Sequence, residues 1–415
     1  MRRSLMTFGK TVLLIVLSFG ALSCQQTNPG SPIKEKSFTL IYHGNGHTDG
    51  TVPLDSALYT EGETVTVLGN PGNLFREGYT FSGWSLSSDG SSIAYGEGES
   101  LQMRAENMTL YARWLAAGDQ EHRDIEGHTI SLVYVPGGYT FPTGLDDKGL
   151  ASVAKPYWIG MGEVNFGLWQ AVYAWATHAD RGEKRYCFAN TGTRGSHGST
   201  AAMSDLHPVT TINWRDAQVF CNALTEWYNA VKGTDYALVY YSDEGYLLPK
   251  RDARDGSFGD KADSNLGGLD KPYIKPGAKG FRLLSLQEWE LAARWRMDSE
   301  NTVAGFTHPW FTKGNSASGA KGDCQNSSAT AAVAVYGNTG GNTRESGSKA
   351  ANSLGLLDMS GNVWEWTYDV PNKKPYGRGG SYYHPANNTV NSSAFAYNPY
   401  AEYTVLGLRL ARSVD

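Results

Sequence analysis

Residues 358–366 read Asp-Met-Ser-Gly-Asn-Val-Trp-Glu-Trp, a short motif with a tryptophan on either side of a glutamate. Six further short motifs surround it in a fixed order, so that the set runs from residue 135 to residue 409. The six are Val135–Gly138, Gly162–Asn165, His207–Ala217, Phe281–Glu290, Arg378–Ser381 and Gly407–Arg409. Their order and spread indicate one large C-terminal region rather than several unrelated modules.

In this order the seven motifs resemble the formylglycine-generating-enzyme family. The resemblance implies an α+β domain at residues 120–415, here called the head domain, with that family's variant of the C-type lectin fold. Such a domain is compact and sparse in secondary structure. It is expected to carry a twisted antiparallel sheet near the C-terminus.

Three helices are predicted in the head domain from caps and from apolar spacing. Phe166–Thr177 places apolar side chains on one face. Asn213 with Asp216, and Ser285 with Glu288, are the N-cap and N3 pairs that open a helix. The two capped helices are expected to pack into the core.

The N-terminus, residues 1–24, has the pattern of an export signal. Three basic residues precede the apolar run Val12–Leu22, which is too short to cross a bilayer as a retained helix. Small residues before Cys24 resemble a bacterial lipoprotein signal, which implies lipidation of Cys24 and a linker at residues 25–36. Because Ala21 stands where leucine is usual, a plain secretory signal stays as the alternative. We expect an outer-membrane lipoprotein on the bacterial surface, in contact with the membrane through its lipid anchor only.

A small β-domain is predicted at residues 37–115 and is here called the repeat domain. Phe38–Tyr42, Thr64–Leu68 and Met108–Trp114 alternate as strands do, with turn residues between them. The segment Gly78–Trp84, followed by Leu110–Trp114, resembles the Listeria–Bacteroides repeat, a small β-grasp-like module. That resemblance implies a spacer without chemistry of its own.

Composition excludes several classes of protein. With 19% charged and 12% aromatic residues and a formal net charge of -5, the chain is neither disordered nor a dedicated nucleic-acid binder. Cys187, Cys221 and Cys324 lack metal-site spacing, and at most one disulfide is expected. The histidine pairs in the sequence lack partnering ligands, so no metal site is expected at them.

The family resemblance raises the question of oxidase activity. In the enzymes, two cysteines bind copper and activate oxygen, and soft thiolates suit Cu(I). The matching positions here are His384 and Thr389, and no cysteine follows Cys324. We therefore expect no enzyme activity and no required cofactor.

The same resemblance matches Asp358, Gly361, Val363 and Glu365 to a calcium site of family members. Oxygen ligands suit a hard cation, so a structural calcium ion is one interpretation of these residues. The alternative is that the carboxylates cap backbone amides around a tight turn.

The segment Tyr382–Tyr403 replaces the enzyme's reactive centre and has an unusual composition. Its 22 residues include five Tyr, four Asn and a single charged residue, Glu402. Tyrosine offers large, stiff contact area, and Asn and Ser offer adaptable hydrogen bonding, as in antibody paratopes. We predict a ligand-binding variable region at about residues 366–412. Its candidate contacts are Tyr368, Asn372, Tyr376, Tyr382, Tyr383, His384, Asn387, Asn388, Thr389, Asn391, Ser392, Ser393, Tyr397, Asn398, Tyr400 and Tyr403.

The residue types found in most of this segment match those that mutation of asparagine codons at adenine can produce, which supports variability of the segment. Randomising the adenines of asparagine codons yields a restricted set of residues, and every residue from Tyr382 to Asn398 belongs to that set. This resembles the variable region of a diversity-generating retroelement target, and the domain order resembles the Treponema variable proteins. A loop rich in Tyr and Asn that arose by ordinary drift is the alternative.

These observations predict a surface lipoprotein that binds diverse ligands, such as proteins or host or bacterial surface molecules, through a non-catalytic face. A formylglycine-generating oxidase and a purely structural envelope lipoprotein are the alternatives. We expect Tyr382, Tyr397 and Tyr400 to be ligand contacts whose replacement by Ala leaves the head domain folded.

Overall fold

The structure is a computed structural model, and it describes residues 36–90, 94–196, 203–254, 272–337 and 341–414. The predicted signal peptide with its Cys24, and residues 25–35 of the predicted linker, lie outside the described residues. Within the described ranges, no helix combines the length and the apolar run needed to cross a bilayer.

The repeat domain is built around a four-stranded sheet in the order β1-β6-β3-β4, with β1 and β6 parallel. Alternate side chains of β1 point inward, and Leu40, Trp84 and Leu110 are buried in its core. The strands predicted from alternation are confirmed at β1, β2 and β6. The bounds are β1 Leu40–His43, β2 Thr64–Thr66, β3 Tyr79–Ser85, β4 Ala94–Tyr95, β5 Ser100–Gln102 and β6 Met108–Ala116, with β2 and β5 forming a separate pair.

The head domain contains a five-stranded sheet in the order β16-β23-β11-β8-β7. Strand β11 lies between β8, near the start of the head domain, and β23, at its end, so the sheet joins the two ends of the domain. The strands of the head domain are β7 Gln120–Ile125, β8 His128–Val135, β9 Tyr139–Thr143, β10 Gly149–Val153, β11 Tyr157–Gly160, β12 Thr193–Arg194, β13 Val209–Thr210, β14 Tyr240–Tyr241, β15 Tyr273–Ile274, β16 Phe281–Arg282, β17 Trp295–Arg296, β18 Trp310–Phe311, β19 Trp364–Trp366, β20 Tyr376–Arg378, β21 Ala394–Ala396, β22 Leu406–Gly407 and β23 Ala411–Ser413.

The three predicted helices are confirmed, and their buried side chains share core clusters with strands of this sheet. Both predicted capping boxes form, with each N-cap side chain accepting from the N3 backbone N–H and each N3 carboxylate accepting from the N-cap N–H. Helices α1 and α2 meet where Trp169 stacks on Phe220, with ring centroids 4.8 Å apart. The helices are α1 Phe166–Thr177, α2 Trp214–Lys232, α3 Leu286–Arg294 and α4 Ser327–Val333.

A second sheet near the C-terminus, in the order β21-β20-β19-β22, carries the candidate site. The predicted antiparallel sheet is confirmed in the five-stranded sheet that contains β23, whereas this second sheet is mixed, because β19 pairs with β22 in parallel through Trp364 and Leu406. Behind this sheet, the Arg409 guanidinium binds both carboxylate oxygens of Glu365, and both side chains are fully buried. The ion pair therefore fixes the back of the site.

Candidate functional site

An open cavity of about 480 Å³ lies on the second sheet, beside the segment that follows β20. We call it the aromatic cavity. Strands β19 and β21 contribute one ring each, and the loop segments before β21 and before β22 contribute the others. Its lining residues are Trp364, Tyr382, Tyr383, His384, Asn388, Phe395, Tyr397, Tyr403, Thr404 and Val405.

The aromatic rings of the cavity stand at large angles to one another instead of lying in one stack. Phe395 and Tyr397 have ring centroids 4.9 Å apart at 55°, and Tyr397 and Tyr403 lie 6.0 Å apart at 53°. The Trp364 ring makes an angle of 69° with the Tyr397 ring at 6.5 Å. Rings arranged in this way leave the faces of Phe395, Tyr397 and Tyr403 partly open to a ligand, whereas Trp364 is only 1% exposed.

His384 lies at one wall of the aromatic cavity in a defined protonation state. The Trp364 Nε1–H donates to His384 Nδ1 at 3.2 Å, and Ser381 Oγ lies 2.7 Å from the same nitrogen. An indole N–H can only donate, so Nδ1 acts as an acceptor and the proton of the neutral ring sits on Nε2. Partial burial also lowers the pKa of His384, which favours the neutral imidazole.

Adjacent tyrosines of the cavity differ in exposure. The Tyr383 side chain is 72% exposed, whereas Tyr382 is 6% exposed and its hydroxyl donates to Thr404 Oγ1 at 3.3 Å. Tyr403 and Phe395 are more than half exposed at the rim, and Tyr397 is half-buried between them. A ligand can therefore reach Tyr383, Phe395 and Tyr403 directly, while the Tyr382 side chain is almost entirely buried beside Thr404.

Two further candidate contacts are buried, which conflicts with the expectation that the segment presents them to a ligand. Thr389 and Asn391 have no exposed surface. The Thr389 hydroxyl donates to the Ala386 carbonyl, and the Asn391 amide group donates to the Lys313 carbonyl. Both side chains hold the segment in place from the inside.

The segment is also held through its main chain. Arg378 Nη1 donates to the carbonyl oxygens of Ser392 and Ser393, while its Nη2 donates to the buried carboxylate of Glu290 at 2.6 Å. The Asn391 N–H donates to the Ser316 carbonyl at 2.8 Å. These bonds fix the path of the chain just before β21.

The remaining candidates are spread over more than one surface. Tyr368 lines a different cavity of about 440 Å³, beside Arg282 and Glu288. The six candidates that the structure brings together are Tyr382, Tyr383, His384, Asn388, Tyr397 and Tyr403. Those outside the cavity lining are Tyr368, Asn372, Tyr376, Asn387, Thr389, Asn391, Ser392, Ser393, Asn398 and Tyr400.

Four lining residues were not predicted from the sequence. Trp364, Phe395, Thr404 and Val405 lie in or beside strands of the second sheet. Phe395 could have been found, because it is an aromatic residue inside the variable segment. Thr404 and Val405 carry no signal of their own and reach the cavity only because β22 pairs with β19.

The residues matched to a calcium site have protein partners in this structure. Both oxygens of Glu365 accept from Arg409, and Asp358 Oδ2 accepts from a serine hydroxyl and a backbone N–H. The other carboxylate oxygen of Asp358, Oδ1, is buried without a hydrogen-bond partner among the described residues. Across the described ranges, no cluster of three or more His, Cys, Asp or Glu side chains is arranged to hold a metal ion. A calcium ion would have to displace Arg409 before it could bind Glu365. The calcium site remains a prediction.

No cysteine is among the described residues that line the aromatic cavity. His384 stands at one of the positions matched to the enzyme's cysteines, and Thr389 at the other is buried. The three described cysteines are unpaired, and burial raises the pKa of Cys221. The cavity therefore lacks the pair of thiolates that copper chemistry in this family needs.

Comparison with known proteins agrees with the fold. The Listeria-Bacteroides repeat domain model matches residues 38–113. Treponema denticola variable protein 1 superposes with a TM-score of 0.52 at 23% identity, over 71% of this chain and 99% of that one. The two chains therefore share the fold.

Curated relatives match parts of the chain. A "Chaperone protein LppX" of Paenibacillus barcinonensis is 26% identical over 57% of this chain and 71% of its own length. A protein of Evansella cellulosilytica, described as a candidate membrane protein, is 40% identical over 19% of this chain. The chain spans only 11% and 9% of the lengths of two relatives from that organism. Because the sulfatase-modifying factor enzyme 1-like domain model matches residues 119–414, the chain belongs to that family.

Proposed function

We propose that this chain is a cell-envelope protein that binds ligands through the aromatic cavity and its rim and does not catalyse oxidation. The observation that carries the proposal is the exposure of Tyr383, Phe395 and Tyr403 around one cavity. Large aromatic side chains exposed together on a folded surface are characteristic of binding sites. Ligand specificity would follow from which side chains the rim presents.

The absence of catalysis rests on the chemistry of the described lining. A neutral imidazole and tyrosine hydroxyls surround the cavity where the family's enzymes use two thiolates. None of these groups binds Cu(I) as a thiolate pair does. Family membership keeps the oxidase as the second candidate, and copper-dependent conversion of a cysteine peptide by the purified chain would establish it instead.

The location and the variability belong to the same proposal. The export signal with Cys24 and the names of the Evansella relatives support a place in the cell envelope, as an outer-membrane lipoprotein. The codon pattern from Tyr382 to Asn398 supports diversification by a retroelement. Substitutions spread evenly over the gene in clonal isolates, instead of falling in this segment, would contradict the diversification.

A surface-ligand screen tests the binding function. The purified chain and a variant with Tyr383→Ala, Phe395→Ala and Tyr403→Ala would be compared on arrays of extracellular proteins and bacterial surface extracts. We expect partners that the unchanged chain retains and the triple variant loses, because the variant removes the exposed rings.

The matched control replaces three exposed aromatic residues elsewhere, with Phe75→Ala, Tyr79→Ala and Tyr273→Ala. Equal loss of partners in both triple variants would show that the cavity is not the binding surface. Failure of the unchanged chain to retain any partner would favour the structural envelope alternative.

A further inference from the structure

We propose that the aromatic cavity recognises a quaternary ammonium group, such as a trimethylammonium carried by a larger molecule. This inference rests on the proposed binding function and names the chemical class of the ligand. It follows from three properties of the cavity, namely its rings, its charges and its size.

The rings provide a negative surface on several sides. The faces of Trp, Tyr and Phe attract cations within about 6 Å of the ring centroid, and cages of such rings bind quaternary ammonium groups. Here Phe395, Tyr397 and Tyr403 follow one another at centroid distances of 4.9 and 6.0 Å, and Trp364, which is only 1% exposed, packs beside Phe395 and Tyr397 at the base of the cavity. The angles of 55° and 53° between the rings of Phe395, Tyr397 and Tyr403 prevent these three rings from covering one another's faces completely.

The charges around the cavity favour a cation that has no N–H groups. Among the described lining residues, none is Asp, Glu, Lys or Arg, and His384 accepts at Nδ1 as a neutral ring. A lysine ammonium or an arginine guanidinium would lose water from its N–H donors and meet no carboxylate. A quaternary ammonium has no N–H donors to leave unpaired, so it avoids that loss. The net charge of -5 also favours the approach of a cation.

The size of the cavity exceeds what one small cation needs. Its volume of about 480 Å³ falls within the usual range for small-molecule sites, about 300–1,000 Å³. A trimethylammonium group would occupy the aromatic part, and the molecule that carries it would lie against Tyr383, Asn388 and Thr404. Those three side chains offer hydroxyl and amide groups for hydrogen bonds.

The test compares a cation with its neutral isostere. Choline and 3,3-dimethyl-1-butanol have the same shape, but only choline is charged. Binding to the purified full chain would be measured by calorimetry and by Trp fluorescence, since Trp364 lines the cavity. We expect choline to bind about two- to thirtyfold more tightly, which corresponds to a cation–π attraction of about 0.5–2 kcal/mol. Equal or tighter binding of the neutral compound, or no binding of choline, would overturn the proposal.

Substitutions at the rings, and larger molecules that carry a trimethylammonium group, provide further tests of the proposal. Phe395→Leu keeps apolar bulk but removes a ring, so it should weaken choline binding several-fold, whereas Phe75→Leu in the repeat domain should not. An unchanged affinity in Phe395→Leu would also overturn the proposal. Phosphocholine and a trimethyl-lysine peptide, tested in parallel, distinguish a headgroup source from a protein source.

The outcome can be separated from that of the proposed function. If choline fails to bind while the array screen still finds partners that the Tyr383, Phe395 and Tyr403 variant loses, the cavity binds a different chemistry. If both experiments fail, the cavity is not a binding surface.

Discussion

Replacing Tyr382 and Tyr383 one at a time distinguishes a tyrosine that packs inside the fold from an adjacent tyrosine that is exposed to ligands. Tyr382 is 6% exposed and donates to Thr404, so Tyr382→Ala should lower the free energy of unfolding by about 3–5 kcal/mol, as for other buried aromatic residues. Tyr383 is 72% exposed, and Tyr383→Ala should change it by no more than about 0.5 kcal/mol. The earlier expectation that Tyr382 is a pure ligand contact is revised accordingly.

Urea denaturation of the purified chain, followed by Trp fluorescence and far-UV circular dichroism, measures both changes. Tyr382→Phe is the matched control, because it keeps the ring and loses only a hydrogen bond worth about 1 kcal/mol. A Tyr382→Ala variant that unfolds within about 1 kcal/mol of the unchanged chain would refute the reasoning, since the ring would then not be a packing element.

Three further predictions concern the rest of the head domain. Asn213→Ala removes the N-cap side chain of α2 and should lower the free energy of unfolding, measured by urea denaturation, by about 1 kcal/mol. An unchanged free energy of unfolding would contradict a stabilising role of this cap. Arg409→Leu leaves the buried Glu365 carboxylate without its cationic partner, so it should lower the free energy of unfolding by about 3–5 kcal/mol or prevent folding. A decrease of less than about 1 kcal/mol would contradict the buried ion pair. Burial lowers the pKa of His384 below its ordinary value of 6.5, so the unfolded chain binds a proton at a higher pH than the folded chain does. The free energy of unfolding should therefore fall as the pH drops below about 6.5. Denaturation at pH 7 and pH 5 should show a larger loss in the unchanged chain than in His384→Phe, and equal losses would contradict the shift.

The helices and the repeat domain could be predicted because their signals are local. Asn213 with Asp216 and Ser285 with Glu288 are three residues apart, and the alternation of β1 and β6 is visible within a few residues. The mixed second sheet could not be predicted, because the parallel pairing of β19 with β22 joins residues about forty positions apart without a local signal.

The sequence predicts which segment of the chain forms the candidate site, but it does not predict which side chains of that segment lie together on one surface. Composition cannot distinguish Tyr382 from Tyr383, since burial depends on which way each side chain points in the turn that contains both residues. It also places Tyr368 with the others, although the fold carries Tyr368 to another cavity. Trp364 was read as part of the family motif, and only the fold shows that its ring faces the variable segment.

The bonds from Arg378 to the carbonyl oxygens of Ser392 and Ser393 have a consequence for how the segment can evolve. A carbonyl oxygen is present whichever amino acid occupies the position, so this clamp is insensitive to side-chain identity. Asn391 is different, because its own amide group donates to the Lys313 carbonyl from a fully buried position. In a population of variants we therefore expect position 393 to change freely and position 391 to keep its asparagine, which would allow new surfaces to arise on an unaltered backbone.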